Sequence, residues 1–394
     1  MLLYKNIFGI LRDPGGIEVD EKGSKVHVIY GIWKITCFAW ILEKLLSWRI
    51  WTTYRMLPTI PVFNQLTHVP DIVHTVLFLI SLILLGFLFF RINRYLIIVL
   101  LIIEACSCLL DQNRIQPWEY QYFFTAVIFI LYSKNQRIII SSIAFLFIAT
   151  YFYSGISKLN GGFLQYIWSD LILGGFLRIP VYISHQKWLF YSGYFLGLFE
   201  SMLGVGLLLK STQKISAILL IIMHLVILII FGPFGLSGYK ILWFWNLSMI
   251  AALYLVFIAN NEKLTIIQDL IKFWKRPVVL FWGILPAFSF IGLWQRNLSS
   301  NLFSGNVPRM VICIQDINRY PQLKRFSTRQ DPSCVCKGML RVNLQTWIFR
   351  ETRVSINPEI SLMLQMQQRL VQKYPNCGFS FVILNAGQGD IKQY

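Results

Sequence analysis

Ionisable side chains are scarce within the apolar stretches of this chain, and inside a membrane each is costly unless it is solvated or paired. Glu104, Glu200 and His224 fall midway along such stretches, while Asp111 and Lys158 stand at stretch ends. Carboxylate, imidazole and amine are the residue types of acid–base chemistry. The same groups can also hold helices together through buried hydrogen bonds, and for Glu200 and His224 the residues alone do not choose between these roles. Glu104 reads as structural. Lys34 and Glu43 read as side chains snorkelling from an interfacial helix.

Two segments carry more. Tyr151-Phe152-Tyr153-Ser154-Gly155-Ile156-Ser157-Lys158-Leu159-Asn160 ends an apolar stretch on a lysine. A lysine there most often reaches for the membrane surface. Its sharper reading is an amine deprived of water, which can be neutral and act as a base. Leu110 to Tyr120 packs Asp111, Arg114, Trp118 and Glu119 into one short polar loop, in which Asp111 and Arg114 can also simply pair to fix the loop.

These residues must be positioned by a helical membrane scaffold. The chain is 56% apolar, 14% charged and 16% aromatic, with a mean hydropathy of +0.58. A soluble chain carries nearer a quarter charged residues, and abundant aromatics suit membrane–water interfaces. Apolar runs at about 30–47, 72–90, 94–110, 121–133, 138–157, 189–209, 216–232, 241–259 and 277–294 predict about nine transmembrane helices. The first 28 residues include Asp13, Glu18, Asp20 and Glu21 and show no signal-peptide core, so insertion is expected to rely on the apolar runs. With the N-terminus inside, inner connections hold 14 Lys and Arg against 7 in the outer ones. That bias predicts a cytoplasmic N-terminus and a C-terminal domain outside, periplasmic or lumenal. The net charge of +18 lies largely in such connections, which argues for anionic lipid and against nucleic acid as its partner. The connection 158–188 is long and apolar, and is expected to lie along the membrane surface or re-enter the protein. Gly193 and Gly197 form a G-x-x-x-G suited to close helix packing.

Beyond about 297 the character changes. Arg309 to Gln315 and Phe379 to Leu384 predict short strands, and Asn357-Pro358-Glu359 predicts a helix start. The expected organisation is an N-terminal cytoplasmic segment 1–29, a membrane domain 30–294 and a basic extramembrane domain 295–394. The fold class is thus an all-α polytopic bundle with a small C-terminal α/β unit. From 297 onward 12 Lys and Arg face 5 Asp and Glu, a balance suited to an acidic lipid surface or protein partner. Seven cysteines and five scattered histidines include no CxxC pair, so no metal site is expected. Cys334 and Cys336 are read as either a disulfide or two thiols.

Three pieces in order resemble the vitamin K-dependent gamma-carboxylases and the wider bacterial HTTM membrane family. They are Leu110-Asp111 with Tyr120; Tyr151-Phe152, Gly155 and Lys158-Leu159; and His224-Leu225 followed by Gly232, Phe234, Gly235, Trp243 and Trp245. Glu200 falls in a helix where that family also tends to place an acid. The likeness spans roughly 30–260. It implies that Lys158 deprotonates a reduced quinone at the outer membrane face, on the way to carboxylating a glutamate, with His224 and Asp111 orienting groups around it. Glu200, Asn160, Trp118 and Arg114 are then expected to contribute binding contacts. Where the carboxylases carry an Asn-His pair, this chain has Pro117-Trp118, and about 100 residues replace their large extramembrane part. The shared scaffold is therefore the firmer implication.

Two functions follow: a carboxylase-like membrane enzyme acting on a lipophilic quinone or peptide, or a non-catalytic anchor docking a protein partner through 297–394. A transporter with Glu104, Glu200 and His224 as a proton path is the weaker third, since no paired broken helices are evident.

Overall fold

The computed structural model describes residues 24–133, 135–233, 235–236, 240–260, 263–271, 277–301, 303–328, 335–336, 338–384 and 391–393. The chain is mostly helical, with a small antiparallel sheet near its C-terminus. The helices are α1 (Ser24–Leu46), α2 (Asp71–Phe90), α3 (Arg94–Leu110), α4 (Pro117–Leu131), α5 (Gln136–Ser157), α6 (Phe163–Phe176), α7 (Tyr194–Gly206) and α8 (Gln213–Phe231). They continue with α9 (Lys240–Leu253, running on through Tyr254–Ala259), α10 (Val279–Ile284, continued by Leu285–Ile291), α11 (Leu344–Thr352) and α12 (Ile360–Lys373).

A helix lies in each of the nine expected places, but among the described residues only α2, α5, α8 and α9 are long and apolar enough to cross a membrane. The others fall short for visible reasons. α1 carries Lys34, Glu43 and Lys44. α3 and α4 have 17 and 15 residues. Gly193 separates α7 from the preceding turn Lys187–Ser192. α10 changes winding at Leu285-Pro286.

α5 is the axis of the bundle. Its most apolar window is 89% buried, against 28% for α2 and for α8. α2 buries His74, Phe78, Ser81, Leu85 and Leu88 along one stripe and turns Ile72, Leu79, Ile83 and Phe87 outward. An outer face that apolar is stable only against lipid, and the chain is that of a membrane protein.

The C-terminal domain is a five-stranded sheet of order β2-β3-β1-β4-β5, built from β1 (Arg309–Ile314), β2 (Ser327–Thr328), β3 (Leu340–Asn343), β4 (Phe379–Leu384) and β5 (Ile391–Gln393). Met310, Ile312 and Ile314 alternate onto the face packed by Trp347 of α11 and Met363, Met366 and Leu370 of α12. The opposite face holds Val311, Cys313, Cys336 and Val382. The domain is not free-standing. Leu57 and Ile60, from the connection between α1 and α2, belong to its core, and the Glu351 carboxylate accepts from the Met56 and Leu57 amides at 2.6 and 3.2 Å. The expected start of α12 is displaced by two residues, from Asn357 to Glu359. Glu359 occupies the capping position without a side-chain cap, and its carboxylate instead accepts from the Arg296 amide at 2.9 Å. Cys336 pairs with Cys313 rather than Cys334, which lies outside the described residues.

Candidate functional site

The site is built on one face of α5. Tyr151, Ser154 and Lys158 are spaced three and four residues apart, so their side chains follow one another along the helix. α7 crosses this face at very short range because Gly155 and Gly197 lack side chains. A β-carbon at Gly197 would lie 2.8 Å from the Gly155 carbonyl oxygen. Three residues after Gly197, Glu200 meets Lys158, with Nζ 2.6 Å from Oε2. The same amine donates to the Ser154 hydroxyl at 2.7 Å and the Ser154 carbonyl at 3.1 Å.

A second polar group stands one turn away. His224 of α8 lies between the Tyr151 hydroxyl, 2.7 Å from Nε2, and the Asn246 amide oxygen of α9, 2.5 Å from Nδ1. The Asn246 amide nitrogen donates to the Leu242 carbonyl at 2.6 Å, which orients the amide. Its oxygen can only accept, so the network assigns the proton to Nδ1 and leaves Nε2 to accept from Tyr151.

Both groups open into one cavity of about 440 Å³. Its other walls are mainly apolar and come from α6, α7, α8 and α9, among them Phe163, Trp168, Phe199, Met223 and Trp245. The long connection after Lys158 is therefore a wall, folded as the wide helix α6. Leu177, Leu196, Val226 and Ile229 also line the cavity while standing 52%, 37%, 46% and 59% exposed on the outer surface of the bundle. The cavity is thus flanked by lipid-facing side chains.

Of the residues expected at the site, Lys158, Glu200 and His224 meet in this cavity; Asp111, Arg114, Asn160 and Trp118 do not line it. Asp111 is paired not with Arg114 but with Arg55, and its other oxygen accepts from the Ile60 and Asn113 amides at 3.2 Å each. Arg114 donates to the Ile50 carbonyl, to Ser107 and to His74 Nδ1. Burial lowers its pKa to about 10, opposed by Asp111, so it remains charged at neutral pH. Both arginine contacts pin the loop. Asn160 is a positioning residue: it donates to the Ser157 and Ser304 carbonyls and accepts from the Phe163 amide, fixing the turn from α5 into α6. Trp118 lines a second cavity beneath the C-terminal domain.

Glu43 corrects a sequence expectation. Neither it nor the adjacent Lys44 reaches the surface; both are fully buried. Lys44 Nζ lies 2.7 Å from Glu104, 3.9 Å from Glu119 and 3.2 Å from the centre of the Trp51 ring. Ser81 donates to Glu104, Trp40 to Glu119 at 2.6 Å and Tyr122 to Glu43 at 2.9 Å. The C-terminal end of α1 packs inside the bundle, so Glu43 and Lys44 find buried partners instead of extending to water, whereas Lys34 is exposed. Glu104 belongs to this buried cluster and does not line the Lys158 cavity. Among the described residues no group of His, Cys, Asp and Glu is arranged to hold a metal ion.

Ser154 and Asn246 were missed from sequence. Ser154 was legible, because it shares the helix face of Tyr151 and Lys158; Asn246 depends on a contact between helices and had no local signal. No protein-family model, curated protein or solved structure matches this chain.

Proposed function

We propose that this chain is a multi-pass membrane enzyme of the carboxylase-like scaffold, with its N-terminus cytoplasmic and its C-terminal domain outside. It draws a lipophilic molecule such as a reduced quinone from the bilayer and takes a proton from it. The observation that carries this reading is the cavity of about 440 Å³, apolar on most sides, into which Lys158, Glu200 and His224 all open. The fit to a quinone-like ring rests on those apolar walls, the lipid-facing residues beside them and hydrogen-bonding groups concentrated on one side. The Cys313–Cys336 disulfide supports an external C-terminal domain, since such bonds persist in oxidising compartments.

A reduced quinone bound there supplies an acidic hydroxyl. Paired with Glu200, the Lys158 ammonium donates in all three of its hydrogen bonds and has no lone pair to offer. Glu200, 2.6 Å away, takes the amine's proton, and Lys158 is then the base, with Ser154 holding it in place. The Tyr151–His224–Asn246 chain fixes a second polar contact for the ring. The apolar walls keep water from competing for the base.

The test is consumption of decyl-ubiquinol above the protein-free rate by the purified protein in air-saturated detergent, where dissolved dioxygen oxidises the deprotonated quinol to quinone and is itself reduced to hydrogen peroxide, with thermal unfolding as the control for folding. Lys158→Ala should abolish turnover and Glu200→Gln should reduce it more than tenfold. Because Lys158→Ala strands the buried Glu200 carboxylate, the double variant Lys158→Ala/Glu200→Gln, which leaves no stranded charge, should unfold at a higher temperature than Lys158→Ala and still turn nothing over. Wild-type turnover in Lys158→Ala removes the base, and a wild-type protein that never consumes quinol removes the activity.

The anchor reading has one observation in its favour, the basic surface of the C-terminal domain, where Arg319 and Arg325 are more than half exposed. It predicts a protein partner that co-purifies with the full chain and is lost on Arg319→Glu/Arg325→Glu.

A further inference from the structure

A second cavity of about 490 Å³ lies between the bundle and the C-terminal domain. It shares Ile167, Leu242, Trp245 and Phe303 with the Lys158 cavity, so these four side chains partition two adjoining chambers. Its chemistry is different. Arg309 and Arg353 both line it, no Asp or Glu does, and neither arginine has a carboxylate partner among the described residues. Arg309 is stacked on the Tyr166 ring at 3.8 Å, which holds its guanidinium without neutralising it.

Three further polar atoms in the lining are buried and find no partner among the described residues: Asn301 Oδ1, Ser304 Oγ and Gln345 Oε1. Ser304 is only 2% exposed. Gln345 donates its amide nitrogen to the Pro308 carbonyl at 3.1 Å, which leaves its oxygen as an acceptor lacking a donor. Buried polar atoms are ordinarily satisfied, and a cluster of orphans in one cavity calls for a ligand that supplies the missing bonds. Two cations call for an anion. Two amide oxygens call for O–H or N–H donors. The backbone at the rim is also held under strain, with Phe303 and Arg353 in the left-handed region at φ of 52° and 66°.

We propose that this chamber binds a hydroxylated phosphate ester, with the phosphate on Arg309 and Arg353 and its hydroxyls donating to Gln345 and Asn301. The glycerol phosphate head of an anionic phospholipid fits this description, its acyl chains lying along the apolar side at Ile167 and Leu171. A choline head fits poorly, because its cation meets two arginines and it offers no donor. The proposal does not depend on quinol chemistry in the neighbouring cavity.

The experiment is native mass spectrometry of the full chain released from nanodiscs of equal parts phosphatidylglycerol and phosphatidylcholine. Tight retention of phosphatidylglycerol is expected, with at least a tenfold preference over phosphatidylcholine. Arg309→Gln/Arg353→Gln should erase that preference. In nanodiscs of equal parts phosphatidylglycerol and phosphatidic acid, which lacks the head hydroxyls, the wild type should favour phosphatidylglycerol and Gln345→Leu should remove that preference. An arm with excess glycerol 3-phosphate separates the sources: displacement of the lipid assigns a soluble phosphate ester, and persistence of the lipid assigns the phospholipid. Equal retention of both lipids by the wild type, or a preference untouched by the double arginine substitution, overturns the proposal. Lys158→Ala should retain phosphatidylglycerol normally, so loss of quinol turnover and loss of lipid retention are read separately.

Discussion

Gly155 on α5 and Gly197 on α7 approach so closely that a β-carbon at 155 would lie 2.5 Å from the Gly197 carbonyl oxygen. This contact sets the distance at which Lys158 and Glu200 face one another. Neither glycine lines the cavity, yet the ion pair depends on both.

Gly155→Val should therefore destabilise the protein by about 1–3 kcal/mol through overpacking and push Glu200 away from Lys158. Thermal unfolding in detergent is the measurement. Gly86→Ala is the control, because nothing lies within 4 Å of a β-carbon there. Equal midpoints for the two variants would contradict the close crossing.

Lys44→Met should be among the most damaging single substitutions. It leaves Glu104, which is 1% exposed, without its cation, and breaking a buried pair from one side costs about 3–5 kcal/mol. Adding Glu104→Gln removes the stranded charge, so the double variant should unfold at a higher temperature than Lys44→Met. A double variant less stable than the single one would mean that the two groups are not coupled.

The Lys44 cluster marks where sequence reading stopped. Apolar runs located the helices, and mid-run ionisable residues pointed to Glu200, His224 and Glu104. Lys158 stood out because a lysine closes an apolar run. Position inside the bundle was not legible. Glu43 reads as a side chain snorkelling to water like Lys34, yet only Lys34 is exposed. Trp33, Trp40 and Trp51 are buried along α1 and just beyond it, and Glu43 and Lys44 at its C-terminal end find partners on α3 and α4. Asp111 failed in a related way. Its partner Arg55 lies 56 residues away, and no local spacing distinguishes that pairing from one with Arg114. In the C-terminal domain the two longest strands are visible as short apolar runs, while β2, β3 and β5 are too short to carry a pattern.

Reduction should loosen the C-terminal domain. The Cys313–Cys336 disulfide closes a loop of 23 residues, and the chain-entropy account gives about 3 kcal/mol for such a loop. Maleimide labelling of the denatured protein should gain two thiols per chain after reduction, and Cys336→Ser should lower the urea midpoint of the domain. Full labelling without reductant would remove the bond.

Alkaline pH should act on Tyr374. Burial, with Glu351 nearby, raises its pKa from 10.0 to about 12, and its hydroxyl donates to the Met56 carbonyl at 2.8 Å. The fold favours the neutral phenol, so this stabilisation is complete below pH 10 and is lost as pH rises toward 12. The stability difference between wild type and Tyr374→Phe should shrink across that window. A difference independent of pH would show that Tyr374 ionises no differently when folded.

The insertion of Leu57 and Ile60 into the C-terminal core has a consequence for biogenesis. Glu351, which clamps that segment, is 294 residues further along from Leu57, so the ribosome delivers the socket long after the plug. Until then two greasy side chains stay uncovered beside the first helix. A prematurely terminated copy never conceals them, and this exposed stub distinguishes unfinished chains from finished ones for any chaperone or protease that recognises bare apolar surface.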